Sequence, residues 1–271
     1  MGDSYLCCCI RATLGNDKIT GRTVNPGDRW DRQGCDRRHG LMDKIDRRND
    51  MRRVRTTVVG VLAAIFSLTA AVVPAAAAQH NPVIFVHGWM GSSSNWDAMI
   101  ADFKADGYSD SELYAWDYDT AQSNKNTADE FIAVVNDMLA RTGASAVDVV
   151  SHSMGGLNTR WYLKFNNGTA KVDDWVSLGG PNHGTTSADA CYTTSCYEMR
   201  IGSDFLSDLN AGDESPSGTV YGTWWSPCDE TINPDESVVV DGAKNTKTAC
   251  ISHTGLLSDE TVSRQVRDFV A

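Results

Sequence analysis

The chain has 271 residues, of which 41% are hydrophobic and 8% aromatic, and its formal net charge is −11. This composition excludes a disordered chain, a collagen-like repeat and a protein with several membrane spans. The excess of acidic residues also argues against a nucleic-acid-binding protein, because no basic surface is available to neutralise phosphates.

The charge divides the chain into two parts. Residues 1–78 carry 13 Lys and Arg against 8 Asp and Glu, a net charge of +5, whereas residues 79–271 carry 11 against 27, a net charge of −16. Such an asymmetry indicates that the first part has a separate role from the second.

Residues 51–78 have the organisation of a secretory signal peptide. Three arginines at 52–55 precede an apolar run at 58–73, and small residues at 76–78 suit a signal peptidase. The apolar run is shorter than the ~20 residues that span a bilayer. We therefore expect secretion, with cleavage after Ala78 or after Ala77.

Residues 1–50 are polar and precede a segment that belongs at an N-terminus. We expect Met51 to be the true start and residues 1–50 to be a mis-assigned, non-native extension. Adjacent thiols at Cys7–Cys9 lack the spacing of structural zinc sites.

From residue 79 onward, short apolar runs typical of buried strands alternate with segments of helical periodicity. Strands are predicted at 82–88, 111–118, 146–151, 171–178, 219–225 and 245–251. Helices are predicted at 95–104, 127–142, 155–165 and 258–270, the second with Thr127 as N-cap and Glu130 completing a capping box. The alternation predicts one α/β domain over residues 79–271, with a mostly parallel sheet covered by helices on both faces. The polar stretch 179–218 is too long for an ordinary connection, so we expect it to be functional.

Four cysteines follow the predicted signal peptide, at 191, 196, 228 and 250. An even number in an exported protein suggests two disulfides, and three pairings are possible. The local pairing, Cys191–Cys196 and Cys228–Cys250, is favoured over the others and over free thiols.

The segment DVVSHSMGG at 148–156 predicts a reactive serine. A strand runs into a turn and then a helix, with Ser153 at the turn, as in the small-x-Ser-x-Gly nucleophile elbow. Ser151 replaces the usual first glycine, and a hydroxymethyl group is still small. We interpret His152 as a packing residue, because it lies inside the turn.

A serine hydroxyl needs a base that is oriented by a carboxylate. In this topology the order is serine, acid, histidine, which leaves His183 and His253; we favour His253 after the last strand and assign His183 a structural role. For the acid we favour Asp229, beside Cys228. Asp235 and Asp241, which could lie on the same loop, remain alternatives for the acid. Asp213 and Asp259 are interpreted as a surface charge or a charge at a helix N-terminus.

An oxyanion intermediate also needs two backbone N–H donors. One is expected from Met154, the residue after the nucleophile. The other is expected from Trp89 in HGWMG at 87–91, the loop after the first strand.

Four segments carry a family resemblance: NPVIFVHG, KVDDWVSLGGPNHGT, SHSMGGLNTRWYLK and the stretch from Asp229 to SHTGLL. Together they resemble the small secreted bacterial lipases of class 2, represented by the Bacillus lipase A group and by similar actinobacterial triacylglycerol lipases. The resemblance implies a minimal α/β-hydrolase with Ser153 as nucleophile, Asp229 as acid, His253 as base, and an oxyanion hole formed by the Trp89 and Met154 amides. The cysteine-bearing region 179–228 is longer than in the smallest members.

An apolar rim is expected near the active face, and it would suit an acyl chain or an oil–water interface. Its candidate residues are Trp89, Met90, Phe205, Leu206, Leu209, Trp224 and Trp225. The sequence thus predicts a monomeric triacylglycerol lipase without a cofactor or a metal. A carboxylesterase or polyesterase acting on short or polymeric esters is the alternative, and a non-catalytic binding module is disfavoured because both Ser153 and His253 are present.

Overall fold

The structure, a computed structural model, describes residues 80–271. The predictions for residues 1–50 and for the signal peptide at 51–78 lie outside the described residues. Among those described, no helix is long and apolar enough to cross a bilayer.

Six strands form one sheet in the order β2-β1-β3-β4-β5-β6, and every neighbouring pair is parallel. The strands are β1 (Val83–Val86), β2 (Leu113–Trp116), β3 (Val147–His152), β4 (Val172–Leu178), β5 (Val220–Trp225) and β6 (Lys244–Lys247). The helices are α1 (Asp97–Ala105), α2 (Asn124–Thr142), α3 (Met154–Phe165), α4 (Thr194–Met199), α5 (Asp204–Asn210) and α6 (Glu260–Phe269). The predicted α/β fold is therefore confirmed.

Helices cover both faces of the sheet, which is why its central strands are apolar throughout. Phe85 and Val150 point into a core shared with α1 and α6, and Ile84 and Val149 point into a second core shared with α2 and α3. Successive side chains of a strand alternate between faces, so each central strand serves both cores.

Most predicted elements differ from the structure by one or two residues at their ends, and two boundaries differ by more. Helix α2 begins at Asn124 with Ser123 as N-cap, and Thr127 lies inside its first turn. The backbone N–H of Asn124 donates to the Glu198 carboxylate at 2.6 Å, a partner 74 residues away that local spacing could not predict. The last strand ends at Lys247, because it is a polar edge strand and the chain then turns towards Cys250.

The stretch 179–218 is an ordered excursion that carries α4 and α5. Their apolar side chains form a third core with α3, which includes Leu157, Phe205 and Leu209. Ser195 donates to the Thr120 carbonyl at 2.6 Å, and Glu198 binds the start of α2. The excursion is thus anchored to the rest of the fold at several points.

Candidate active site

Ser153 occupies the turn between β3 and α3 in a conformation that L-residues rarely adopt, with φ 54° and ψ −130°. Its N–H donates to the Leu178 carbonyl at 2.9 Å, which holds the turn against β4. A sharp turn of this kind directs the serine side chain away from the strand and towards the end of the sheet.

Small neighbours make this turn possible. A Cβ at Gly155 would lie 2.5 Å from the Val86 carbonyl oxygen, and a Cβ at Gly88 would lie 2.6 Å from the Cβ of Ser153. Ser151 is fully buried and donates to the Val176 carbonyl at 2.6 Å. The serine at this position is therefore accommodated by a hydrogen bond.

His253 and Asp229 form a buried pair at the same end of the sheet. His253 Nδ1 lies 2.8 Å from Asp229 Oδ2, and both side chains are less than 10% exposed. Asp229 Oδ1 accepts the N–H groups of Thr231 and Ile232, each at 2.9 Å. Burial would raise the pKa of Asp229, but the hydrogen bond and charge of His253 and these two amides together hold that pKa below its ordinary value. Asp229 is therefore a carboxylate that accepts the Nδ1–H of His253, and Nε2, on the far side of the ring, takes no part in this pair.

His152 supports His253 from the other side. Its ring centroid is 4.5 Å from that of His253, and its Nε2 lies 3.0 Å from the His253 carbonyl oxygen. Burial, and next the neighbouring His253, lower the pKa of His152 to about 3. The ring is thus neutral and donates its Nε2–H to the carbonyl.

The alternative residues lie elsewhere. His183 contacts Glu214 at 3.0 Å. Asp213 caps the backbone N–H of Ser215, and Asp259 is the N-cap of α6. Within residues 80–271, Asp229 is the carboxylate paired with His253, whereas Asp235 and Asp241 make no ion pair with any histidine.

The loop after β1 passes directly against Ser153. Gly88 touches its side chain, and Met90 has a positive φ of 57° with its N–H donated to Thr120 Oγ1 at 3.2 Å. Trp89 lies between these two residues, and Met154 is the first residue of α3. The two predicted oxyanion donors thus flank Ser153 from opposite segments.

Ser153, His152 and His253 line one pocket with a volume of about 520 Å³. Its apolar walls are formed by Trp89, Met90, Ala188, Met199, Ile232 and Leu257. The predicted rim is correct for Trp89 and Met90 only. Phe205, Leu206 and Leu209 are buried in the third core, Trp224 is buried beneath α6, and Trp225 packs under Lys247.

Both favoured cysteine pairs are at bonding distance. The sulfurs are 2.00 Å apart for Cys191 and Cys196, and 1.96 Å apart for Cys228 and Cys250. Cys191 lines the pocket, and Cys228 directly precedes Asp229. Each disulfide is therefore close to a different part of the site.

Sequence reasoning missed two residues of the site. Gly179 has φ 56°, and a Cβ there would lie 3.1 Å from Asp229 Oδ2 and 3.2 Å from His253 Nδ1. Glu230 accepts the backbone N–H of His253 at 3.0 Å. The pair of glycines after β4 was a signal for a close approach, whereas nothing local indicated Glu230.

A parallel sheet with helices on both faces, and a strained serine at a strand–helix turn beside an Asp–His pair, define an α/β-hydrolase. The family model described as Lipase (class 2) matches residues 80–268. The chain belongs to that family.

The chain is similar to two bacterial relatives. It is 30% identical over 143 residues to a triacylglycerol lipase of Burkholderia plantarii, a match covering 47% of this chain and 38% of the relative. It is 29% identical over 122 residues to a triacylglycerol lipase of Pseudarthrobacter phenanthrenivorans, covering 42% and 37%. The matches thus span less than two fifths of the length of either relative.

The solved structure of the mature Bacillus licheniformis lipase BlEst2 has the same fold. The TM-score is 0.62 at 19% identity, and the match covers 73% of this chain and 94% of that one.

Proposed function

We propose that this chain is a secreted serine hydrolase that cleaves carboxylic esters of lipids, acting as a triacylglycerol lipase. The observation that carries the proposal is the buried Asp229–His253 pair, whose histidine lines one pocket together with Ser153, a serine in a strained turn. Membership of the class 2 lipase family and the similarity to two triacylglycerol lipases support it.

In the first half of the proposed reaction, Ser153 Oγ forms a bond to the acyl carbon while His253 Nε2 takes the hydroxyl proton. The ionised Asp229 stabilises the resulting imidazolium without accepting its proton. His253 then gives the proton to the ester oxygen as the bond to the alcohol breaks, which leaves an acyl-serine.

In the second half, water attacks the acyl carbon and gives a proton to His253. The proton returns to Ser153 Oγ as the acyl–oxygen bond breaks, and the fatty acid leaves. The Trp89 and Met154 amides would stabilise the oxyanion in both halves, and a single donor of this kind is worth roughly 3–4 kcal/mol.

The pocket favours a lipid substrate, because its walls are apolar and exposed apolar side chains surround it. Met90 is 75% exposed, and Tyr192, next to pocket-lining Cys191, is 76% exposed. Chain-length profiles on triacylglycerols and on short soluble esters distinguish a lipase from a carboxylesterase or polyesterase.

Secretion and a monomeric state are parts of the same proposal. Two cystines suit an oxidising, extracellular compartment. The signal peptide is tested by N-terminal sequencing of protein recovered from the culture medium, which should begin at residue 79 or at residue 78. The monomeric state is tested by the molecular mass that sedimentation gives.

The decisive experiment compares ester hydrolysis by the wild type with that of Ser153→Ala, His253→Ala and Asp229→Asn. We expect kcat to fall by about 10⁴-fold or more in each variant, because the three groups act as a unit. A fluorophosphonate should label Ser153 in the wild type and not in Ser153→Ala.

The matched controls are His183→Gln, Asp235→Asn and Asp241→Asn, which change the alternative residues. They should retain full activity and wild-type unfolding curves. Activity retained by Ser153→Ala or His253→Ala, or lost in Asp235→Asn instead of Asp229→Asn, would contradict the assignment.

A further inference from the structure

Three aspartates meet at the amino-terminal end of the sheet, opposite Ser153. Val147 pairs with Val172 and Val149 with Trp175, so β4 has one extra residue opposite Asp148. Such a bulge places two residues of one strand opposite one residue of its partner. Here it brings Asp173 and Asp174 towards Asp148, and one side-chain oxygen from each lies within 4.8 Å of the others.

The hydrogen bonds available do not satisfy this cluster. Asp148 is fully buried, and its Oδ1 accepts from the Asp174 N–H at 3.2 Å and from Asn81 Nδ2 at 3.4 Å. Its Oδ2 is also buried and has no partner. Within residues 80–271, no Lys, Arg or His nitrogen forms an ion pair with any of the three carboxylates. An uncompensated buried carboxylate is costly, so Asp148 needs either a proton or a counter-charge.

A second buried polar group beside the cluster also has no partner. Tyr108 is 6% exposed and belongs to the same apolar core as Val83, the residue of β1 that pairs with Asp148. Its hydroxyl makes no hydrogen bond.

We propose that Asp148, Asp173 and Asp174 bind one Ca²⁺ ion at this end of the sheet. Calcium binds carboxylate oxygens at 2.3–2.6 Å, so three oxygens on one ion can be mutually at most about 4.5 Å apart. One oxygen from each aspartate lies within 4.8 Å of the others, so the cluster is close to this arrangement before any ion is bound. Mg²⁺ binds oxygens at about 2.0–2.1 Å and needs a closer set. The exposed side of Asp173 leaves room for water ligands to complete the coordination.

The site would stabilise the fold without entering the reaction. Asp148 stands near the start of β3 and Ser153 follows its end, five residues or about 17 Å away. A bound ion would join the starts of β3 and β4 in the middle of the sheet. The proposal is therefore independent of the proposed function.

The test is a calorimetric titration of CaCl2 into the chelator-treated full-length chain, together with thermal unfolding with and without Ca²⁺. We expect one ion per chain, and a rise in Tm of about 3–5 °C at a concentration ten times the Kd. Asp173→Asn and Asp174→Asn should lose the rise. Asp137→Asn, which changes an exposed aspartate on α2 that makes no ion pair within the described residues, should keep it.

Asp173 is exposed, so Asp173→Asn should fold even if substitution of buried Asp148 prevents folding. The proposal is overturned if the wild type shows no binding heat and no change in Tm, in which case Asp148 is held as a neutral carboxylic acid. It is also overturned if Asp173→Asn keeps the full rise, or if Mg²⁺ produces the same rise as Ca²⁺.

Discussion

At residue 153 the backbone has a conformation that costs of order 1–3 kcal/mol for a residue other than glycine. The surroundings maintain it because Gly88 and Gly155 allow the β1 loop and α3 to approach, and because the Ser153 N–H is bonded to β4. The same closeness places the neighbouring His152 ring against His253. A single turn thereby presents Ser153 to the pocket and supports its proposed base.

We predict that His152 makes folding stability depend on pH. Its folded-state pKa of about 3 lies below the ordinary 6.5, so between these values the unfolded chain binds a proton that the folded chain does not. Stability is therefore complete above pH 6.5 and falls with acidification, by at most about 1.4 kcal/mol per pH unit from this group. Denaturant unfolding at several pH values measures this dependence. In His152→Gln the free energy of unfolding should fall less steeply between pH 6.5 and pH 3 than in the wild type.

His152→Gln also changes packing, but lost packing lowers stability equally at every pH. If the free energy of unfolding of His152→Gln is lower than that of the wild type by the same amount at every pH, the prediction is contradicted.

At the scale of elements, the loops that follow β5 and β6 hold the Asp229–His253 pair. The Cys228–Cys250 disulfide joins these loops across 22 residues and lies next to Asp229. Ser226 accepts the Ile251 N–H at 2.9 Å, which adds a second link between them. The relative position of acid and base thus depends on two short connections.

We predict different consequences for the two disulfides. Replacing Cys228 and Cys250 by serine should lower the free energy of unfolding by about 3 kcal/mol and lower kcat, because the constraint on the Asp229–His253 pair is lost. The matched variant, Cys191→Ser with Cys196→Ser, removes a disulfide between residues only five positions apart. It should lower the free energy of unfolding by about 2 kcal/mol. Since Cys191 lines the pocket, that variant should change KM or chain-length preference more than kcat.

Denaturant unfolding and steady-state kinetics measure both quantities. Equal losses of kcat in the two double variants would show that the disulfides stabilise the fold without a specific effect on the pair.

At the scale of the whole molecule, an acidic domain carries an exposed apolar group of side chains around one pocket. Residues 79–271 have a net charge of −16, while Met90 and Tyr192 are about three-quarters exposed. The charge keeps the protein soluble, and the apolar side chains suit contact with a neutral lipid surface.

We predict that Met90→Asn and Tyr192→Ser lower hydrolysis of emulsified triacylglycerol by about fivefold each, which corresponds to about 1 kcal/mol of apolar contact. Asn tolerates the positive φ at position 90, so this substitution should not strain the loop. Rates on a soluble short-chain ester should stay close to the wild-type rate.

The matched control is Val220→Thr, which changes an exposed apolar residue at the start of β5, away from the pocket. An equal loss on both substrates, or a loss in Val220→Thr, would contradict an interfacial role.

The sequence by itself determined the α/β class and the position of the turn at Ser153. Both depend on local information: strands buried on two faces must be apolar along their length, and a strand–turn–helix string with small residues is contiguous. It also favoured the pairing of neighbouring cysteines, because a short separation keeps the two thiols close.

Only the tertiary structure decided what depends on contacts between distant segments. The loop between β5 and β6 contains three aspartates, Asp229, Asp235 and Asp241, and spacing along the chain could not select one of them as the acid. In the structure, Asp229 Oδ2 lies 2.8 Å from His253 Nδ1. The Glu198 cap of α2, the burial of Phe205 and Leu209, and the aspartate cluster at the β4 bulge likewise join residues far apart in the chain. Such contacts form only when the sheet and the stretch 179–218 have folded together. The order of residue types along the chain does not indicate which distant residues will meet.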